Sequence, residues 1–180
     1  MFKKNIKSAY IILAAMAIVS CKKSTDTQPT PTPASQTQDL SLNMTSVADN
    51  NSINYTSIFT TDAGARYTIT GFRYYVSNIR LVKQDGTEYP IANKYLLVNP
   101  AVASYDLGQV PVGNYKGIRF NVGVDSVTNH KDPTIYPSTN PLAIQSPGIH
   151  WDWNSGYIFL MFEGTCDTTA GNTDVLNMMG

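Results

Sequence analysis

From residue 39 to the end of this 180-residue chain, no segment sustains a 3.6-residue apolar period over three turns. What recurs is a short apolar run closed by Gly, Pro, Asn or Asp. Leu40, Leu42 and Met44 alternate with polar residues, and residues 55–60 and 66–70 read the same way. Alternation sends successive side chains to opposite faces of an extended chain, so each run is a half-buried strand. Residues 72–82 form a longer aromatic and branched run that can bend at Ser77-Asn78. Asp85-Gly86 is a tight-turn pair, with residues 88–91 as the return strand. Residues 95–98 and 101–107 are short extended runs parted by Asn99-Pro100, and Pro111-Val112-Gly113-Asn114 is a turn before the run 115–124. Such spacing predicts an all-β fold, an antiparallel β-sandwich or a barrel.

The first twenty residues stand outside that pattern. Lys3, Lys4 and Lys7 precede an apolar stretch, residues 11–19, that is short for a bilayer span. It ends in Ile18-Val19-Ser20-Cys21, the order of a bacterial lipoprotein signal. On that reading residues 1–20 are a signal peptide and Cys21 is lipidated. The protein is then anchored by lipid in the cell envelope, at the outer membrane or the periplasmic face. A chance Cys after a secretory signal is the other reading. Residues 21–38 are rich in Ser, Thr, Gln and Pro, with Pro29, Pro31 and Pro33 alternating with Thr. They bury too little apolar surface to fold and read as an extended tether to a domain over residues 39–180.

Charge and cysteine use narrow the function classes. The whole chain balances 13 basic against 13 acidic residues. Three lysines and no acid precede Cys21, leaving 10 basic against 13 acidic after cleavage. No basic patch follows Lys22-Lys23, so nucleic acid is not an expected partner. With Cys21 acylated, Cys166 is the one other cysteine, a free thiol or half of a bridge. No Cys-x-x-Cys occurs, which excludes covalent c-type haem and a zinc ribbon. There is no Gly-x-Ser-x-Gly, no His-Glu-x-x-His and no phosphate-binding loop, so the chain is not expected to be an enzyme.

Residues 125–147 hold few large apolar side chains and four prolines, Pro133, Pro137, Pro141 and Pro147. A loop this long in a compact domain is usually functional. It carries His130 and leads into His150. Residues 148–164 then hold both tryptophans, Trp151 and Trp153, two apart and so on one side of an extended chain, with His150 and Asp152 on the other. Gly156 marks a bend or bulge, and the run 157–162 reads as a buried strand.

Two accounts of this block compete. In one, the indoles are packing anchors and His130 is a solvated loop residue. In the other, the block is a soft or borderline metal site with His150 as first ligand and His130 as second, the indoles as wall or redox partner and Tyr157 as a hole relay. Met161 and Cys166 are soft donors, although packing accounts for Met161. Asp125 could bind a cation or cap a loop, the cap being the commoner role. A further function class is a metal-free surface binding or adhesion module, gripping a glycan or protein with the aromatic strip Tyr74, Tyr75, Trp151 and Trp153.

Three motifs together carry a family likeness. They are Tyr74-Tyr75-Val76-Ser77-Asn78-Ile79-Arg80-Leu81; Gly113-Asn114-Tyr115 with Ile118-Arg119-Phe120-Asn121-Val122-Gly123-Val124-Asp125; and His150-Trp151-Asp152-Trp153-Asn154-Ser155-Gly156-Tyr157-Ile158-Phe159 with Glu163-Gly164. From about Leu40 onward the chain resembles the MbnP family. The lipoprotein signal and tether resemble its surface-lipoprotein members of Bacteroidota type. The resemblance implies a periplasmic or surface β-domain linked to copper. In methanotroph members a di-haem cytochrome c peroxidase-like partner oxidises a tryptophan to kynurenine, and the product binds copper. The corresponding tryptophans are Trp151 and Trp153, with Trp151, next to His150, the first choice. Family members continue with a strand bearing a Phe-x-x-His-x-Gly type motif. This chain ends at Gly180, after Leu176-Asn177-Met178-Met179, with no strand expected there to close the fold, and so resembles a partial domain, with a second imidazole or a partner for Cys166 expected in the remainder.

Overall fold

A computed structural model describes residues 36–152, 155–169 and 172–180. The expected signal peptide, Cys21, most of the tether and Trp153 lie outside the described residues. The described part is dominated by strand, with sheets that curl into an all-β, sandwich-like fold.

One strand organises it. β5 spans Arg66–Lys83, so the two runs read separately at 66–70 and 72–82 are one 18-residue strand. Four short strands precede it: β1 (Thr37–Asn43), β2 (Val47–Ala48), β3 (Asn51–Ser52) and β4 (Ile58–Thr60). Five further strands take up the middle and late parts of the chain: β6 (Glu88–Pro90), β7 (Leu96–Val98), β8 (Ser104–Pro111), β9 (Tyr115–Val122) and the later β12 (Leu160–Thr169). Along one edge of β5 lie β12, opposite Tyr67 to Tyr74, and then β9, opposite Val76 to Lys83. Along its other edge lie β4, β7 and β6 in turn. The expected bend is real: the register with β9 slips between Ser77 and Arg80, and Asn78 takes a left-handed backbone, φ 51°. An extra residue in one strand forces that local turn.

β1 pairs antiparallel with β8 as a second sheet. Leu40 and Leu42 of β1 and Leu107 of β8 close over Val76, Ile79, Leu96 and Val98 of the large sheet, the interior of the sandwich. The neighbouring residue Tyr75 points the other way, into a separate cluster with Val124, Leu142, Ile149, Tyr157, Ile158 and Met161. β5 is therefore covered on both faces, which accounts for its near-continuous apolar run.

The second cover is the excursion between β9 and β12. Its two ends meet at Tyr75: the Gly123 N–H donates to the Tyr75 carbonyl at 2.8 Å, and the Tyr75 N–H donates to the Phe159 carbonyl at 2.9 Å. Gly123 has φ +115°, and a Cβ there would sit 2.7 Å from the Phe159 ring. The excursion is not the featureless loop the composition suggests. It contains α1 (Ser126–Asn129), a 3-10 turn (Pro133–Ile135), and a hairpin of β10 (His150–Asp152) with β11 (Gly156–Tyr157).

Two expectations need correction. The run 157–162 is not one strand: it breaks at Ile158–Phe159, because the Phe159 carbonyl is taken by Tyr75 and its N–H donates to the Gly180 carbonyl at 2.7 Å. The last residues also do form a strand. β13 (Asn172–Met179) pairs antiparallel with β12 through Met161↔Met179 and Gly164↔Leu176. Its apolar alternation is weak, and the ladder with β12 supplies what the side chains do not.

Candidate functional site

The block around His150 is held by polar groups of the excursion that its sequence displays only in part. Asp125 settles as a cap. Its Oδ1 accepts from the Thr128 N–H at 3.0 Å, and its other oxygen accepts from the Tyr95 hydroxyl. The Tyr95 hydrogen bond, followed by the amide donors of the turn, holds the Asp125 carboxyl below the usual carboxylate range. Asp132 repeats the device, accepting from the Thr134 N–H at 2.8 Å just ahead of Pro133. Its carboxyl is lowered first by Thr134 and further by the charge of His150.

From below, two buried tyrosines pin the excursion at consecutive carbonyls. The Tyr75 hydroxyl donates to Pro141 at 3.1 Å and the Tyr157 hydroxyl to Leu142 at 2.6 Å. Their rings meet edge to face at 5.3 Å. Burial pushes both phenols well above their ordinary range, so both remain neutral donors. Arg73 reaches across to the Pro147 carbonyl at 2.8 Å.

The β10–β11 hairpin stands on this base. Gly156 has φ +82°, and a Cβ there would lie 2.6 Å from the Asn129 carbonyl oxygen. The side-chain oxygen of Asn129 accepts from the Tyr157 N–H at 2.8 Å. Gly156 is thus the bend the sequence suggests, and its lack of a side chain lets the hairpin touch the end of α1. The His150 ring stands edge to face on Tyr157 with centroids 4.7 Å apart, and its Nε2 is buried. Trp151, next along β10, is 58% exposed. The alternation therefore sends His150 inward and Trp151 out, and core packing does not describe Trp151.

The structure sets His150 against Tyr157, and the charge of Asp132 acts on both through space. His130 is exposed at the C-terminal end of α1. Among the described residues no three His, Cys, Asp or Glu side chains gather as a metal-binding group. Met161 is buried, its sulfur accepting from Arg73 at 3.7 Å, and the half-buried Cys166 is a free thiol. The aromatic strip of the adhesion reading does not form a surface, since Tyr75 is 0% exposed. Sequence reasoning missed Asn129 and Asp132. The Asp132-Pro133 pair did signal a cap, because Asp favours the capping position and Pro the first position after it. Nothing local marks Asn129.

These features define an all-β domain in which a capped excursion presents a histidine–tryptophan hairpin at the centre of a long strand. The MbnP family model matches residues 37–178, and the chain belongs to that family. The family is associated with copper handling. The fold is similar to that of MbnP from Methylosinus trichosporium, with a TM-score of 0.61 at 19% sequence identity. The match covers 81% of this chain and 62% of that one, so this chain spans less than two thirds of that protein's length. No curated protein matches it.

Proposed function

We propose that the protein is an exported, lipid-anchored copper-binding protein, not itself an enzyme, with His150 and an oxidised tryptophan as its metal site. The observation that carries this reading is the pairing on β10 of a half-buried imidazole with the exposed indole of Trp151. Imidazole suits both oxidation states of copper. The Tyr157 ring packs edge to face on His150, and the negative charge of Asp132, which acts on His150 through space, favours a cation nearby. The unmodified described residues do not by themselves make a full ligand set. The further donor in this reading is kynurenine, formed from Trp151 or Trp153 by a di-haem cytochrome c peroxidase-like partner, with His130 as a second imidazole. The exposed indole of Trp151 is open to the approach of such a partner. Tyr157, packed between His150 and Tyr75, is placed to pass a hole inward.

The test is the protein purified from its own host. Copper should accompany it. The peptide holding Trp151 and Trp153 should show the mass change of two oxygens gained and one carbon monoxide lost. Metal-free protein with two unmodified tryptophans from cells replete in copper would overturn the reading.

A further inference from the structure

Four tyrosines, Tyr75, Tyr95, Tyr136 and Tyr157, gather at the apolar cluster under the excursion. They differ in where the phenol proton points. Tyr157 donates to the Leu142 carbonyl at 2.6 Å, and Tyr75 to the Pro141 carbonyl at 3.1 Å. Tyr95 donates to the carboxylate of Asp125. Among the described residues it is the one tyrosine whose hydroxyl donates to a carboxylate.

The acceptor decides what each ring can do when it loses an electron. A phenol that gives up an electron becomes a strong acid. An amide carbonyl is too weak a base to keep the released proton. Oxidised Tyr75 or Tyr157 would therefore remain a buried cation, which burial disfavours. A carboxylate is a far better base. Asp125 is exposed and ionised, and its Oδ1 accepts from the Thr128 N–H at 3.0 Å while Oδ2 accepts from Tyr95. The Thr128 hydroxyl lies 2.9 Å from the Tyr95 oxygen, so the half-buried phenol is held by two partners.

Tyr95 is also connected to the hairpin. His150 stands on Tyr157 with ring centroids 4.7 Å apart, and Tyr157 on Tyr75 at 5.3 Å. Tyr75 faces Leu97 across the ladder of β5 with β7, and Tyr95 comes two residues before Leu97. Diagonal neighbours across such a ladder are within reach of aromatic side chains.

We infer that Tyr95, with Asp125 as its proton acceptor, is a redox-active tyrosine, at which an oxidising equivalent that enters at the His150 hairpin comes to rest. The oxidant is a one-electron acceptor of the high-valent haem class. It takes one electron from the Tyr95 ring and is itself reduced by one. The Tyr95 O–H bond breaks and the proton bonds to Asp125, leaving a neutral phenoxyl radical and a carboxylic acid. Tyr157 and Tyr75 pass the hole without keeping it. The entry point rests on the function proposed above, whereas the Tyr95–Asp125 pair does not.

The pair is tested on the full metal-free chain, with tris(bipyridine)ruthenium(III) generated by a light flash as oxidant, freezing, and electron paramagnetic resonance. A tyrosyl radical should survive, coupled to an exchangeable proton that heavy water replaces. Most of that signal should be lost in Tyr95→Phe and kept in Tyr136→Phe. Asp125→Asn retains a capping oxygen but no base, and should lose the signal while the melting temperature shows it folded. If no tyrosyl radical survives, if it carries no exchangeable proton, or if Tyr95→Phe or a folded Asp125→Asn gives the wild-type signal, the inference is overturned. Neither copper nor the partner enters the measurement, so its failure leaves the copper reading standing, and failure of that reading leaves the pair standing.

Discussion

Gly156 lies against Asn129 so closely that a Cβ at 156 would sit 2.6 Å from the Asn129 carbonyl oxygen, and this contact seats the His150 hairpin on α1. The position is also left-handed, at φ +82°. Gly156→Ala therefore meets two penalties, about 1–2 kcal/mol for the backbone and a further cost for parting the two segments. Gly64 has nearly the same backbone, φ +85°, and a methyl group there would meet nothing within 4 Å, so Gly64→Ala isolates the first penalty. Urea unfolding should show Gly156→Ala clearly less stable than Gly64→Ala. Equal losses would mean the hairpin does not rest on Asn129.

The hydroxyl of Tyr157 offers a second measurement. Tyr157→Phe keeps the ring against His150 and Tyr75 but leaves the Leu142 carbonyl without its 2.6 Å donor. An unsatisfied buried acceptor costs about 1–3 kcal/mol. For a chain of this size that is a fall in melting temperature of roughly 2–4 °C per kcal/mol. Tyr75→Phe removes the neighbouring donor to Pro141 and should have a similar effect. A melting temperature unchanged in both variants would show that the excursion is not pinned at these carbonyls.

Acid should loosen the same region. The carboxyls of Asp125 and Asp132 titrate lower in the folded protein than in the unfolded chain. As pH falls below about 4, the unfolded chain takes up protons first, so the stability these groups contribute is present above that pH and lost as pH drops through their folded values. Asn keeps the capping oxygen without titrating. Stability measured against pH should fall less steeply below about pH 4 in Asp125→Asn, and less steeply still in the double variant with Asp132→Asn. Asp85 is lowered too, by Thr87, so some slope remains. An unchanged slope in the double variant would contradict the assignment.

Much of this fold is legible in the sequence alone. The alternation at Leu40, Leu42 and Met44, the Asp85-Gly86 turn and the bend at Ser77-Asn78 all depend on neighbours in sequence, and all are found. So does the placing of His150 and Trp151 on opposite sides of β10, although periodicity alone does not say which of them faces in. What could not be read depends on partners far along the chain. The break at Ile158–Phe159 exists because Tyr75, some 84 positions earlier, takes a backbone group that a continuous strand would have used. Asn129 matters because Gly156 lands on it. The strand at 172–179 has little pattern of its own and is specified by β12. Tyr75, which the sequence offers as a surface aromatic, is instead the residue at which the excursion closes.

His150 decides between a ligand and a structural ring. As a ligand, its loss should weaken copper binding tenfold or more, about 1.4 kcal/mol upward, while the metal-free protein melts nearly as before. As a packing residue on Tyr157, its loss should lower the melting temperature and leave copper uptake in proportion to the folded fraction. Because the ring does pack at 4.7 Å from Tyr157, alanine alone could blur the two. His150→Phe keeps an aromatic edge against Tyr157 and removes the nitrogens, so its melting temperature should fall less than that of His150→Ala while the metal is still lost. His130→Ala, at an exposed position, should leave folding untouched and reports on the second imidazole by affinity alone. Affinity is read by equilibrium competition with a chromogenic chelator on the full chain after co-expression with the peroxidase. Wild-type copper affinity in His150→Phe, with the tryptophan modification in place, would remove His150 from the site.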